Sequence, residues 1–596
     1  VIFLFSLIIY IMTMAPTTSF WDCGEFIATS FTLGVPHPPG TPLYLLIGNV
    51  FSTIFFFIDD VGARVNLISP IVSALSVALV YLITVQLIKK WFNSYNNKYT
   101  QISIYCSASI GALIFAFTDA QWFNAVESEV YGMSTFFTAI VVWLALKWTE
   151  NRGENGNIRY ILLIAYLMGL AIGVHLLNLL AIPFIGLIIY FSASKDKILG
   201  FLIDNFLTYI LTLISFIGFD ILFSSTLASI LLTFFVFILS LGIKYFVEIV
   251  VFKNTLNLKM FLRFLARISI LPLSGFIFYI INNGIIRGLP HMIKYWSYAD
   301  RASLTQYENF SLFIFPLFLA IILIAGIIAY IILEVSKKID LKNSSIYNFF
   351  KISIISLFMI YIGFSTYSMI FIRAGQNPNI NENDPSDKES FVKYMNREQY
   401  GVEHNNIDWF NILKYHLSND GNETVFSEKF ERPLQEEIKI NSSFSGLDGS
   451  DNKQRWLTKE FQYYINENTG AFDLDKVSNE DILRFVKSYQ INEMYLRYFG
   501  WQFIGKQYTK ENYTWSRSDS FKNKRFLPLQ DNSNLSNIDW FRYGLPFAFI
   551  FGMIGMIYHF VRDPKRALSI LILFLATGIA IVLYLNQHDP QPRERD

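Results

Sequence analysis

VNLISPIVSALSVALVYLITVQLI, residues 65–88, runs without a single charge and is followed at once by Lys89 and Lys90. An α-helix needs about 20 apolar residues to cross the hydrocarbon core of a bilayer. A run of this length that ends in two lysines reads as a transmembrane helix whose last residues lie on the positive, cytoplasmic side. Working outward, comparable runs lie near 1–15, 102–118, 130–148, 158–173, 175–192, 199–220, 225–248, 266–286, 311–333, 349–372, 541–560 and 567–586. The composition agrees: of 596 residues, 53% are hydrophobic and only 16% charged, with a net charge of +1. Soluble domains carry about 25% charged residues. A water-soluble globule, a disordered chain and a nucleic-acid binder are therefore excluded. Two cysteines, Cys23 and Cys106, are too few for a disulfide framework or a thiolate cluster.

The run 41–58 is also apolar. If it crossed the membrane, every later basic loop would invert. If it does not, Lys89, Lys90, Arg152, Arg159, Lys195, Lys197, Lys253, Lys337, Lys338, Arg562, Lys565 and Arg566 all fall on one side. The reading is thus an all-α membrane bundle of about 13 crossings, with a cytoplasmic N-terminus and 41–58 lying at the outer surface. Residues 1–372 form the transmembrane catalytic module. The polar block 373–540 forms an inserted external α/β domain, and 541–596 supply two last helices and the start of a tail.

The first external loop, 16–64, holds the densest polar signal. In Ser19-Phe-Trp-Asp-Cys-Gly-Glu25, Asp22 and Glu25 are three apart and share a face on a helix. A carboxylate at a half-dry boundary can serve as general base. The same spacing, Ser19-x-x-Asp22, also fits a capping box. His37 follows in a stiff His-Pro-Pro-Gly run that either shapes a loop over a site or turns the chain. Glu127 and Glu129, in the next external turn, either are solvated or face a cavity, where one could share a Mg or Mn ion with Asp22. The spacing does not demand a metal. His175 and Asn178 interrupt an apolar stretch, either as site-lining groups or as hydrogen-bonded structural ones. Four cations on the outer side are candidates for an anionic ligand: Arg373, at the end of a span and against the charge bias, then Arg64, His291 and Lys294. Each could equally be an interface anchor. Walker, G-x-G-x-x-G, H-E-x-x-H and G-x-S-x-G signatures are absent. Polar chemistry gathered at one interface suits an enzyme that takes a lipid-anchored substrate from the outer leaflet.

The F-W-D-C-G-E-F stretch, G-V-P-H-P-P-G-T-P, N-A-V-E-S-E-V-Y-G, I-R-A-G-Q-N-P-N-I-N-E-N-D-P, the segment 494–501 and the final P-R-E-R-D resemble a family of multi-spanning proteins common in Bacteroidetes. A vertebrate relative of that family is a transmembrane O-mannosyltransferase acting on IPT domains. The resemblance implies a GT-C glycosyltransferase fold, an acidic catalytic motif at Asp22 and Glu25, and a further soluble region after R-E-R-D. It implies as partners a polyprenyl-phosphate-linked sugar (mannose or another hexose), an acceptor protein or glycan, and membrane lipid. The expected location is the inner membrane, with the large domain periplasmic. The competing reading is a non-catalytic component of lipid or polysaccharide export.

Overall fold

The computed structural model describes residues 1–19, 22–92, 96–153, 156–194, 198–202, 204–205, 208–209, 258–302, 304–305, 309–336, 345–400, 485–505 and 545–584. Among these, eight helices are long and apolar enough to cross a membrane: Val61–Lys89, Lys98–Ala116, Val130–Glu150, Leu176–Ala193, Leu265–Lys294, Phe310–Ile332, Asn348–Ala374 and Pro564–Leu583. Of four shorter apolar helices, Ile2–Thr13, Ile158–Ile172 and Phe547–Arg562 fall on further expected spans, and Pro42–Ile54 falls in the run 41–58 that is not expected to cross. The expected crossings 199–220 and 225–248 lie almost wholly outside the described residues, so thirteen is not the number seen. The external block shows only helices and one isolated parallel bridge, Val35 with Asn381, among its described residues. The α/β architecture expected for 373–540 is not seen there; residues 401–484 and 506–544 lie outside the description.

Two compact units are present. The first comprises 1–181, 282–558 and 574–596. Its N-terminal elements are α1 (Ile2–Thr13), α2 (Cys23–Thr32), α3 (Pro42–Ile54), α4 (Val61–Asn66), α5 (Ile68–Lys89), α6 (Lys98–Ala116), α7 (Asp119–Ala125), α8 (Val130–Glu150) and α9 (Ile158–Ile172). Small residues bring α1, α5 and α6 together. Ala74, Ala112 and Ala116 are fully buried around Tyr10, whose hydroxyl donates to the Ala116 carbonyl at 2.8 Å. Lipid offers helices no hydrophobic drive to associate, so close backbone approach and buried hydrogen bonds take its place. The apolar run 41–58 becomes α3 and a turn.

Further along, a helix over Gly288–Lys294 (α10), a long helix over Phe315–Ser336 (α11), Ser345–Phe364 (α12), Ser368–Ala374 (α13) and Lys388–Met395 (α14) complete the part of this unit that bears on the site. Helix α12 packs on α9 through two glycines. A Cβ on Gly363 would lie 2.4 Å from the Leu170 nitrogen, and one on Gly169 would lie 2.4 Å from the Ile360 oxygen. The second unit, 182–281 with 559–573, buries Leu187, Phe191, Phe201 and Leu568 and an ion pair, Arg267 Nη1 to Asp204 Oδ2 at 2.9 Å.

Candidate active site

Helix α2 begins at Cys23, with Asp22 at its N-cap position; the Asp22 side chain makes no capping hydrogen bond. The capping box expected from Ser19 and Asp22 does not form. Ser19 Oγ instead donates to Glu127 Oε2 at 2.5 Å, tying the first loop to the second acidic turn. Asp22 is exposed, while Glu25, one turn further on, is half-buried. The described residues do not include Phe20 and Trp21.

Glu25 is held by a single residue. The His37 backbone N–H donates to Oε1 at 2.7 Å, and His37 Nδ1 lies 2.5 Å from Oε2. Burial works against the charged imidazole, but the Glu25 hydrogen bond and charge, with Asp22 and Glu129 adding, outweigh it. The net effect raises the His37 pKa above its usual value. Because the folded value is raised, the charged pair contributes fully below the ordinary histidine pKa and is lost as pH rises through the raised one. The clamp on Glu25 should therefore loosen on the alkaline side. A pH profile of activity is expected to show an alkaline limb that is absent in His37→Gln; an unchanged limb in that variant assigns it to another group.

The loop that carries His37 is fixed from several directions. Val35 N–H donates to the Ile380 carbonyl at 2.8 Å, and Glu382 N–H returns a bond to Val35 at 3.0 Å. Tyr394 Oη on α14 donates to the Pro36 carbonyl at 2.5 Å. Gly40 has φ +90, and a Cβ there would lie 2.6 Å from Tyr394 Oη and 2.8 Å from Ile370 Cδ1, so only glycine lets the loop close.

Glu127 and Glu129 are not solvated. They are 5% and 1% exposed, and Cys23 Sγ lies 3.9 Å from Glu129 Oε1. Asn66 locks the turn in place: its Nδ2 donates to the Ala15 and Thr17 carbonyls, each at 2.8 Å, and its Oδ1 accepts from Ser128 Oγ at 2.5 Å. Two acidic triads result, Asp22–Glu25–His37 and the buried Cys23–Glu127–Glu129. Within each, one potential metal-ligand atom per residue lies within 4.8 Å of the others.

Other expected site residues go elsewhere. Asn178 is satisfied, accepting from Thr138 Oγ1 at 2.9 Å and donating to the His175 carbonyl at 2.9 Å, so it ties the 173–178 turn to α8. His175 sits in that turn, with its ring 5.5 Å from Tyr131. Arg373 donates through Nε to the Leu33 carbonyl at 2.6 Å and through Nη2 to Thr32 at 3.0 Å. It thus closes the C-terminal end of α2, about 15 Å along the helix from Asp22. Arg64 binds the Ile58, Ser52 and Asp59 carbonyls at 2.6, 3.3 and 3.3 Å. His291 Nε2 meets Asn396 Nδ2 at 3.2 Å, and Lys294 lies over the Tyr295 ring at 5.2 Å.

Residues 22–198 match the family model for the protein O-mannosyl-transferase TMEM260 N-terminal domain. The protein O-mannosyl-transferase tmem260 of Dictyostelium discoideum is 30% identical over 208 residues, 33% of this chain and 24% of that protein. The TMEM260 protein O-mannosyl-transferase of Mus musculus is 25% identical over 167 residues, 28% of this chain and 21% of that protein. The chain thus spans about a quarter of the length of the curated relatives it matches. A crystal structure of the Archaeoglobus fulgidus oligosaccharyltransferase, in complex with Zn and sulfate, aligns at 13% identity and a TM-score of 0.27 over 73% of this chain and 57% of that one. That overlap is too loose to support a fold assignment. Through its N-terminal third, the part that carries both acidic triads, the chain is related to the protein O-mannosyl-transferase TMEM260 proteins.

Proposed function

We propose that the chain is an inverting, GT-C-type membrane glycosyltransferase that moves mannose or another hexose from a polyprenyl-phosphate donor to a protein serine or threonine hydroxyl. The observation that carries this reading is Asp22, an exposed carboxylate beside a clamped Glu25–His37 pair, inside the segment matched by an O-mannosyl-transferase family model. Asp22 takes the acceptor proton as the hydroxyl oxygen attacks the anomeric carbon. Glu25, oriented by His37, holds the acceptor or the sugar in place. A divalent cation would fit the Asp22–Glu25–His37 triad: two carboxylates and an imidazole converge, and exposed Asp22 leaves the site open to solvent. Bound there, it would neutralise charge on the departing phosphate.

Reconstituted protein given a polyprenyl-phosphate mannose and a serine-rich acceptor peptide should form a product of inverted anomeric configuration. Retention of configuration, or no transfer with any hexose, overturns the reading. The proposed setting is the inner membrane, with the N-terminus cytoplasmic, 1–372 as the catalytic membrane module, 373–540 as a periplasmic domain and 541–596 as the closing membrane segment. A cysteine at Ser386 should then react with an impermeant maleimide in intact spheroplasts, and one at Ser94 should not; labelling at Ser94 inverts the topology.

A further inference from the structure

Cations at the outer end of a span run against the usual charge bias, and the two arginines picked out by their position in the sequence are already occupied. Arg373 commits all three guanidinium nitrogens, to Leu33, Gln376 and Thr32, and Arg64 commits its three to Ile58, Ser52 and Asp59. The segment that follows α10 holds two cations that are less engaged. Lys294 ends the spanning helix Leu265–Lys294, and its ammonium lies 5.2 Å from the centre of the Tyr295 ring. Arg301 folds back over the same turn. Its Nη1 donates to the Tyr295 carbonyl at 3.4 Å and the Trp296 carbonyl at 3.1 Å, and its guanidinium carbon stands 4.2 Å from the centre of the Phe313 ring. Among the described residues neither cation forms an ion pair, and Nε and Nη2 of Arg301 make no hydrogen bond. The carboxylate of this segment, Asp300, is offset by Lys388 Nζ at 2.6 Å.

An apolar surface begins at these cations. Trp296 is 63% exposed, with its ring 6.2 Å from that of Phe313. Phe310, Ile314 and Phe318 are the three exposed residues of 310–320, at the outer end of the spanning helix Phe310–Ile332. Residues four apart on a helix lie one above the other, at about 6 Å per step. The three therefore form one narrow ridge that leaves the Trp296–Arg301 turn and runs about 12 Å into the membrane. The same segment is tied to the candidate active site. Lys388 Nζ donates to the Lys294 carbonyl at 3.3 Å and Asn396 Nδ2 meets His291 Nε2 at 3.2 Å, so both ends of α14 rest on it. Between them Tyr394 holds the Pro36 carbonyl of the His37 loop.

We propose that Lys294 and Arg301 bind the phosphate of a polyprenyl phosphate whose chain lies along Trp296 and the Phe310–Ile314–Phe318 ridge. This rests on the transferase reading above and names where its lipid docks. Two features fit a single isoprenoid chain with a phosphate at its end better than a two-chain glycerophospholipid. The ridge is one residue wide. The guanidinium is fixed through Nη1 by two carbonyls, which leaves the Nε–Nη2 edge to pair with two phosphate oxygens. An interface anchor needs only to reach water and gains nothing from a fixed edge. The docked phosphate would stand on one side of α14, with the His37 loop held on the other by Tyr394.

The test measures binding of undecaprenyl phosphate to the whole chain in phosphatidylcholine nanodiscs, with undecaprenol and phosphatidylglycerol as comparison ligands. The parent protein should prefer undecaprenyl phosphate to both. Arg301→Gln should lose affinity for it by about 10- to 100-fold, the worth of a charge-assisted bidentate contact, and Arg301→Lys should recover only part. Lys294→Gln breaks no main-chain contact, so it should keep the thermal midpoint and lose about 5-fold, the worth of one interfacial charge. Trp296→Ala should weaken undecaprenol and undecaprenyl phosphate alike. Arg373→Gln should lower the midpoint and leave the affinity alone. Parental affinity in the double variant Lys294→Gln, Arg301→Gln overturns the proposal. Competition by phosphatidylglycerol equal to that of undecaprenyl phosphate also overturns it and makes the two cations an interface anchor. Sugar transfer on the same samples separates the proposal from the reading it rests on. A double variant that binds like a transferring parent removes the docking site alone. A parent that binds undecaprenyl phosphate through these residues and transfers no sugar removes the transferase reading alone.

Discussion

Asp22→Asn should purify and melt like the parent protein and transfer sugar about 10²- to 10⁴-fold more slowly, the range expected when a general base is removed. The structure makes this a clean substitution. The Asp22 carboxylate makes no capping hydrogen bond to α2 and is exposed, so asparagine breaks no structural contact of the helix start. Glu25→Gln is a different experiment, because it removes the charge that holds His37 and loosens a loop as well as a carboxylate. The expected signature is a loss in kcat for Asp22→Asn with little change in KM. Glu25→Gln should show a smaller loss spread over both. Near-normal turnover in Asp22→Asn beside a dead Glu25→Gln would exchange the two roles.

Gly363→Val should be the most damaging substitution outside the site. The added Cβ meets backbone on three sides: the Leu170 nitrogen at 2.4 Å, the Gly169 carbon at 2.6 Å and the Tyr166 oxygen at 2.7 Å. A side chain could rotate away; a backbone cannot, so α9 and α12 must move apart along their whole contact. Overpacking typically costs about 1–3 kcal/mol, and a clash with main chain belongs at or above the top of that range. A total stability of about 5–15 kcal/mol leaves little margin. Loss of the monodisperse peak, or a fall of many degrees in thermal midpoint by fluorescence-detected chromatography, is the expected outcome. Because Gly169 and Gly363 share one contact, the alanine variants of the two should not be additive. A parental midpoint in Gly363→Val would mean the helices do not cross there.

Where the sequence could be read and where it could not follows from how each residue is held. Long apolar helices are written in composition, so Val61–Lys89 or Phe310–Ile332 lie close to their expected places. Asp22 and Glu25 stand close together for a similar reason: one is the N-cap and the other lies in the first turn of the same short helix, and that spacing is local information. Glu127 and Glu129 are harder. Two residues apart on a helix they would diverge, but the chain is not helical there: it bends through 126–128 and is extended at Glu129, at φ −138 and ψ 152, and Ser128 between them is buried as well. Both carboxylates are buried, which their spacing alone does not foretell. Arg373 illustrates what position along the chain leaves out. Its position at the end of a span was visible, while its partners, the carbonyls of Thr32 and Leu33, are more than 300 residues away in sequence.

The His37 loop has one more consequence. The segment matched by the family model, 22–198, takes several of its supports from outside itself. Its loop is hung from Ile380, Glu382 and Tyr394, its second helix is closed from behind by Arg373, and its α9 leans on α12. Every one of these supports lies beyond residue 198. The bounds of the family-model match and the bounds of the contacts that hold the loop are thus different lines. Residues 22–198 expressed alone would carry every acidic group of the site and lack the scaffold that points them, whereas co-expression with 345–400 on a separate chain would restore the contacts that hold the loop.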